Sequence, residues 1–155
     1  MKIPNRLGIT QAALGALMLV FGATGPALAA DPAPAGDEEM LTIYSGIFTE
    51  EQAERGGAIY REQCSSCHGR TGRGTPQGPP ITGAAMNSYD GVPLIGLTEM
   101  IRITMPVGRP GSLSSRQLAD VTAYVLSLHG APAGEEELPA DDDAYVEIMI
   151  TRPDN

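Results

Sequence analysis

The run Cys64-Ser65-Ser66-Cys67-His68 has the spacing C-x-x-C-H. Two thiols three positions apart can each add to one vinyl group of a haem, and the adjacent imidazole then lies under the iron as an axial ligand. Other chemistries use parts of this pattern. A thioredoxin-like dithiol needs a preceding strand in a βαβ context, whereas the residues ahead of Cys64 read as a capped helix and those behind it as a Gly-rich loop. Structural zinc needs four ligands, and His129 is the one further histidine or cysteine in the chain. A plain disulfide suits an exported chain with two cysteines, but it leaves His68 without a part. Covalent haem uses all three residues.

Export is read from the first 29 residues. Lys2 and Arg6 supply a positive start, an apolar stretch follows from about Ala12 to Ala23, and Gly25-Pro26 breaks it ahead of Ala27-Leu28-Ala29. This is the pattern of a cleavable signal peptide. The apolar stretch is shorter than the roughly 20 residues a spanning helix needs, which disfavours a retained anchor. The expected location is therefore periplasmic, with no stable membrane anchor after cleavage. No cysteine near the cleavage site offers a point for lipid attachment.

Without Lys2 and Arg6, nineteen acidic residues face the eight arginines that remain, a net charge of −11. That balance argues against nucleic acid as a partner. The charge is unevenly placed. Residues 46–130 hold seven acids and seven arginines, whereas residues 131–155 hold eight acids against Arg152 alone. The chain thus reads as a signal peptide over 1–29, a flexible acidic segment over 30–45, a neutral domain over 46–130 and an acidic C-terminal extension over 131–155.

Helix starts are legible within the neutral stretch. Thr49-Glu50-Glu51-Gln52 and Ser114-Ser115-Arg116-Gln117 each match a capping box, in which the hydroxyl accepts from the third helical amide and the Gln side chain reaches back. The first predicts a helix from about residue 50 to 63, with Ala53, Gly56 and Tyr60 on one face. The second opens a helix in which Leu118, Val121, Val125 and Leu128 recur at helical spacing and Gly130 ends the run. Between them Leu97, Met100, Ile101 and Thr104 support a short helix stopped by Pro106. No strand pattern competes. The fold class is all-α, a small helical domain wrapped around one covalently bound haem.

A haem in an electron carrier takes a second axial ligand, for which thioether sulfur is well matched. The candidates are Met40, Met86, Met100, Met105 and Met149, with His129 as a nitrogen alternative. Met105 is the best placed, in the loop Met105-Pro106-Val107-Gly108-Arg109-Pro110-Gly111, where Pro and Gly constrain the backbone without helix packing. Met100 reads as core, the usual fate of an apolar-face methionine. His129 reads as a solvated helix C-cap.

Capped helix, CSSCHG, GPPITG, short helix, Met-Pro loop and amphipathic last helix, in that order, resemble a class I c-type cytochrome over about residues 46–130. Gly78-Pro79-Pro80-Ile81-Thr82-Gly83 is similar to that family's G-P-x-L-x-G, with Ile81 in place of Leu. The resemblance implies that the Pro79 carbonyl accepts the Nδ1 proton of His68, a contact that fixes the ring and its donor strength. It also implies that Gly56, Tyr60 and Tyr124 lie where the first and last helices cross. The stretch from Met105 through Ile150 is similar to cytochromes associated with periplasmic pyrroloquinoline quinone-dependent dehydrogenases, which typically carry N-G-x-P-A-G-x-x-E-L-P, here with His129 at the Asn. On that likeness Leu138, Tyr145, Ile148 and Ile150 pack back on the domain, a short helical turn starts at Asp141 to Asp143, and Tyr89 lies near the haem edge, bonding a propionate or packing.

The expected function is that of a mono-haem c-type cytochrome, an electron-transfer protein rather than an enzyme. It would pass single electrons from a quinoprotein dehydrogenase to an oxidase or another cytochrome in a respiratory chain. The implied cofactor is one haem c, with Cys64 and Cys67 as attachment points, His68 and Met105 as iron ligands, and Pro79 and Tyr89 as further contacts. Arg70, Arg73, Arg102 and Arg109 are candidates for the rim of its exposed edge. A permanent haem subunit of a dehydrogenase complex and a haem-based ligand sensor are the alternatives.

Overall fold

The computed structural model describes residues 40–152; the signal-peptide expectation lies outside them. The elements, in chain order, are helix α1 (Glu50–Gln63), the single turn α2 (Ser65–His68), a 3-10 helix (Gly83–Tyr89), strand β1 (Val92–Pro93), helices α3 (Leu94–Thr104), α4 (Ser115–Leu128) and α5 (Asp142–Val146), and strand β2 (Met149–Ile150). Among the described residues no helix is long and apolar enough to cross a membrane.

The first helix starts and ends where its residues predict. Thr49 Oγ1 accepts from the Gln52 amide at 3.1 Å, but the other half of the expected capping box is absent. Gln52 is almost fully buried, and its side chain pairs instead with the backbone of Leu138. Nε2 donates to the carbonyl at 2.9 Å and Oε1 accepts from the amide at 2.7 Å. A buried amide must be satisfied, and here a distant backbone offers it both a donor and an acceptor. At Ser114 both halves of the capping box form, and Gly130 takes φ +96° just past the end of α4.

Packing of α1 on α4 sets the frame. The two cross so closely at Gly56 that a Cβ there would lie 1.8 Å from the carbonyl oxygen of Asp120. Beside the crossing, Tyr60 and Tyr124 have ring centroids 5.1 Å apart at 50°, an arrangement aromatic quadrupoles favour.

Two departures from the sequence-based picture concern the ends. Ile43, within the segment expected to be flexible, is fully buried, and its amide donates to Met149 at 3.0 Å. A short antiparallel pair joins Val92 to Ile150 and Pro93 to Met149, so there is strand pairing where none was expected. Two residues are too few for alternation to be seen. The extension itself packs as the resemblance implied: Leu138, Tyr145, Ile148 and Ile150 are all buried, and Asp141 caps α5 through the Asp143 amide at 3.1 Å.

Candidate functional site

Cys64 ends α1 and Cys67-His68 occupy the turn that follows. The Cys64 carbonyl accepts from the His68 amide at 3.0 Å and from the Cys67 amide at 3.1 Å. This tight turn brings both sulfurs and the imidazole to one apolar cleft. The loop after it is pinned by hydrogen bonds to α1 and to the turn. The Tyr60 hydroxyl donates to Gly69 O at 2.8 Å, the Thr75 hydroxyl to Cys67 O at 2.7 Å, and the Gly74 amide to His68 O at 2.8 Å. Gly78 passes so near that a Cβ there would be 2.8 Å from Cys67 Cβ. Gly78 was visible as part of the Gly-Pro-Pro motif; nothing around Thr75 signalled its bond.

His68 is buried, and its Nδ1 lies 2.8 Å from Pro79 O. A carbonyl only accepts, so this nitrogen carries the proton. Nε2 is left as the nitrogen available to a metal, held in a fixed ring orientation. The two thiols are unbridged. Burial pushes the Cys64 thiol up, with the Cys67 charge adding to it, whereas a redox dithiol depends on a lowered value. Among the described residues no group of three or more His, Cys, Asp or Glu is gathered as a metal set.

The cleft has a volume of about 400 Å³, within the range typical of cofactor sites. Its lining is mostly apolar and comes from α1, α2, the loop at residues 79–81, the 3-10 helix, α3, α4 and the loop after α3. Met86, Met100 and Met105 all reach it. Met40 is exposed and Met149 lies in β2. Met86 is buried in the hydrophobic core. Met100 stays on α3 with its sulfur 3.4 Å from the Thr104 hydroxyl, whereas Met105 is the C-cap of α3, in extended conformation at the cleft. His129 does not line the cleft; burial holds its imidazole below the usual histidine range. Tyr89 lines the cleft from the end of the 3-10 helix and packs against the core.

An apolar hollow bordered by two thiols, an oriented imidazole and thioether sulfurs fits a haem: large apolar faces, two addition points and soft-to-borderline donors for iron. The arginines behave differently from one another. Arg70, Arg73 and Arg109 are exposed, and Arg109 reaches Gln63 Oε1 at 3.5 Å. Arg102 is not free to rim the cleft, because its guanidinium is engaged by Glu99 and Asp142.

Residues 51–125 match the family model described as cytochrome C oxidase, cbb3-type, subunit III. The chain is 38% identical over 105 residues to a thiosulfate dehydrogenase of Stutzerimonas stutzeri, covering 61% of this chain and 34% of that protein. It is 32% identical over 100 residues to a thiosulfate dehydrogenase of Allochromatium vinosum, covering 56% and 35%. The chain thus spans about a third of the length of these curated relatives. Among solved structures, the sulfane dehydrogenase SoxCD of Paracoccus pantotrophus aligns with a TM-score of 0.48 at 20% identity, over 81% of this chain and 68% of that one.

Proposed function

We propose that this chain is a periplasmic mono-haem electron-transfer protein whose haem c is joined to Cys64 and Cys67, with His68 and Met105 as axial ligands. The observation that carries the reading is the 2.8 Å contact of His68 Nδ1 with Pro79 O, at the wall of an apolar cleft shared by both cysteines. That contact is the one a ligating histidine needs on its far nitrogen. When bound, the haem supplies one-electron chemistry between ferric and ferrous iron. The residues of the chain do the rest: His68 is held in one tautomer, the apolar lining excludes water, and the Met105 thioether, as a ligand, would favour ferrous iron and raise the potential. Tyr89, at the cleft, is suited to a propionate.

The electron donor is open to two readings. The resemblance of the extension points to a quinoprotein dehydrogenase, and the identity to two proteins named thiosulfate dehydrogenase points to sulfur-compound oxidation. In the second, this domain would carry electrons within or beside an enzyme that acts on thiosulfate. The purified holoprotein tests whether this chain itself acts on thiosulfate. A pure carrier should take up one electron per chain from a chemical reductant and none from thiosulfate alone. Steady turnover of thiosulfate with an artificial acceptor would instead make the protein an enzyme.

A further inference from the structure

Helix α3 forms one wall of the cleft, through Leu97, Met100 and Ile101, and runs directly into Met105. Its start has no side-chain cap; the Leu94 amide is taken up by Ile148 O at 2.8 Å, just before β2, and the preceding residues pair with β2 itself. Near its other end, Arg102 forms a two-pronged ion pair with Asp142 of α5, one arm being Nη1 to Oδ2 at 2.6 Å, with Glu99 at 3.2 Å from the same nitrogen. Both ends of the helix that carries the methionines are therefore gripped by residues 131–152. That segment is in turn anchored to α1 through the two buried bonds of Gln52 to the Leu138 backbone, the exposed Arg55–Glu137 pair at 2.8 Å adding little. Neither Arg102 nor Asp142 lines the cleft.

From this arrangement we infer that the C-terminal segment is a clamp on α3, and that Asp142 is a positioning residue that keeps the Met105 thioether in place as axial ligand. The inference rests on the haem reading above. A methionine just past the end of a short helix leaves the metal more readily when that last turn can move, and the Asp142–Arg102 pair ties down the turn just before it. Removing the pair lowers the cost of that movement without touching the cleft. The extension would then determine how readily the sixth position admits an outside ligand, and hence how strictly the protein remains a carrier.

Equilibrium binding of imidazole to the ferric holoprotein tests this, read by loss of the far-red thioether-to-iron band. Asp142→Asn should bind imidazole about fivefold more tightly, the factor that corresponds to ~1 kcal/mol. Asp142→Glu should restore most of the wild-type resistance. Glu137→Gln, which breaks an ion pair of the same segment on α1 rather than α3, should leave binding unchanged. Wild-type affinity in Asp142→Asn, or an equal gain in Glu137→Gln, overturns the clamp while the haem reading stands. Absence of the band from the wild-type holoprotein overturns the Met105 assignment, and the clamp falls with it.

Discussion

Replacing Gly56 by alanine sets two effects of opposite sign against each other at one position. In a helix interior alanine is favoured over glycine by about 1 kcal/mol, so propensity alone predicts a more stable protein. The added Cβ, however, would lie 1.8 Å from the Asp120 carbonyl oxygen and 2.5 Å from its carbon. Ordinary carbon contacts sit near ~3.5 Å, so α1 and α4 would have to part by more than an ångström along their crossing. Overpacking costs about 1–3 kcal/mol where side chains can yield. Here the obstacle is backbone, which puts the cost at or above the upper end. The net expectation is a loss of roughly 2 kcal/mol, or about 10 °C in Tm for a domain of this size. Gly57 supplies the contrast: a Cβ there meets the edge of the Tyr124 ring at 3.0 Å, a side chain that can turn aside. Thermal unfolding of the holoproteins, followed by circular dichroism, should show a large drop for Gly56→Ala and a small change for Gly57→Ala. An unchanged or raised Tm for Gly56→Ala would refute the close crossing of the two helices.

Gln52→Ala removes both bonds to the Leu138 backbone and strands two buried groups, so it should cost about 2–4 kcal/mol in denaturant unfolding; a loss below ~1 kcal/mol would mean that the extension is held without it. In Met105→Ala the far-red band should vanish and the potential fall, while Met100→Ala keeps the band; the reverse pattern would move the ligand to Met100. Burial depresses the pKa of His129 below 6.5, so the unfolded chain binds that proton first. The His129 contribution is therefore complete above about pH 6.5 and lost as pH falls through the folded-state value. His129→Asn should flatten the stability profile below pH 6.5, and a slope identical to wild type would exclude this residue as its source.

Much of the frame is legible because it is local. Thr49 and Ser114 announce helix starts through bonds to amides three residues on, and Gly56 and Tyr60 share a helix face by spacing alone. What could not be read is what depends on distant partners. The Gln52 side chain leaves its expected local role because Leu138, 86 residues away, arrives with a matching amide and carbonyl. Arg102 has the composition of a cleft-rim cation, yet Asp142 draws it into an ion pair with the extension. Ile43 lies in a stretch whose acidic neighbours suggested a loose leader, but its own side chain is buried against the core. At the candidate site, Cys64, Cys67, His68, Met105, Pro79 and Tyr89 are all found at one cleft. Met86 and Met100 reach the same cleft, so proximity alone does not single out Met105.

The most direct measurement is the fate of haem when the mature protein, produced in a periplasm with haem attachment, is denatured and extracted with acid. Haem should stay on the wild-type chain, with mass and absorption spectra showing one group per protein. The double substitution Cys64→Ala, Cys67→Ala should yield none. Haem that passes freely into solvent, or a chain that matures with Cys64 and Cys67 joined to each other and no haem, would contradict the account.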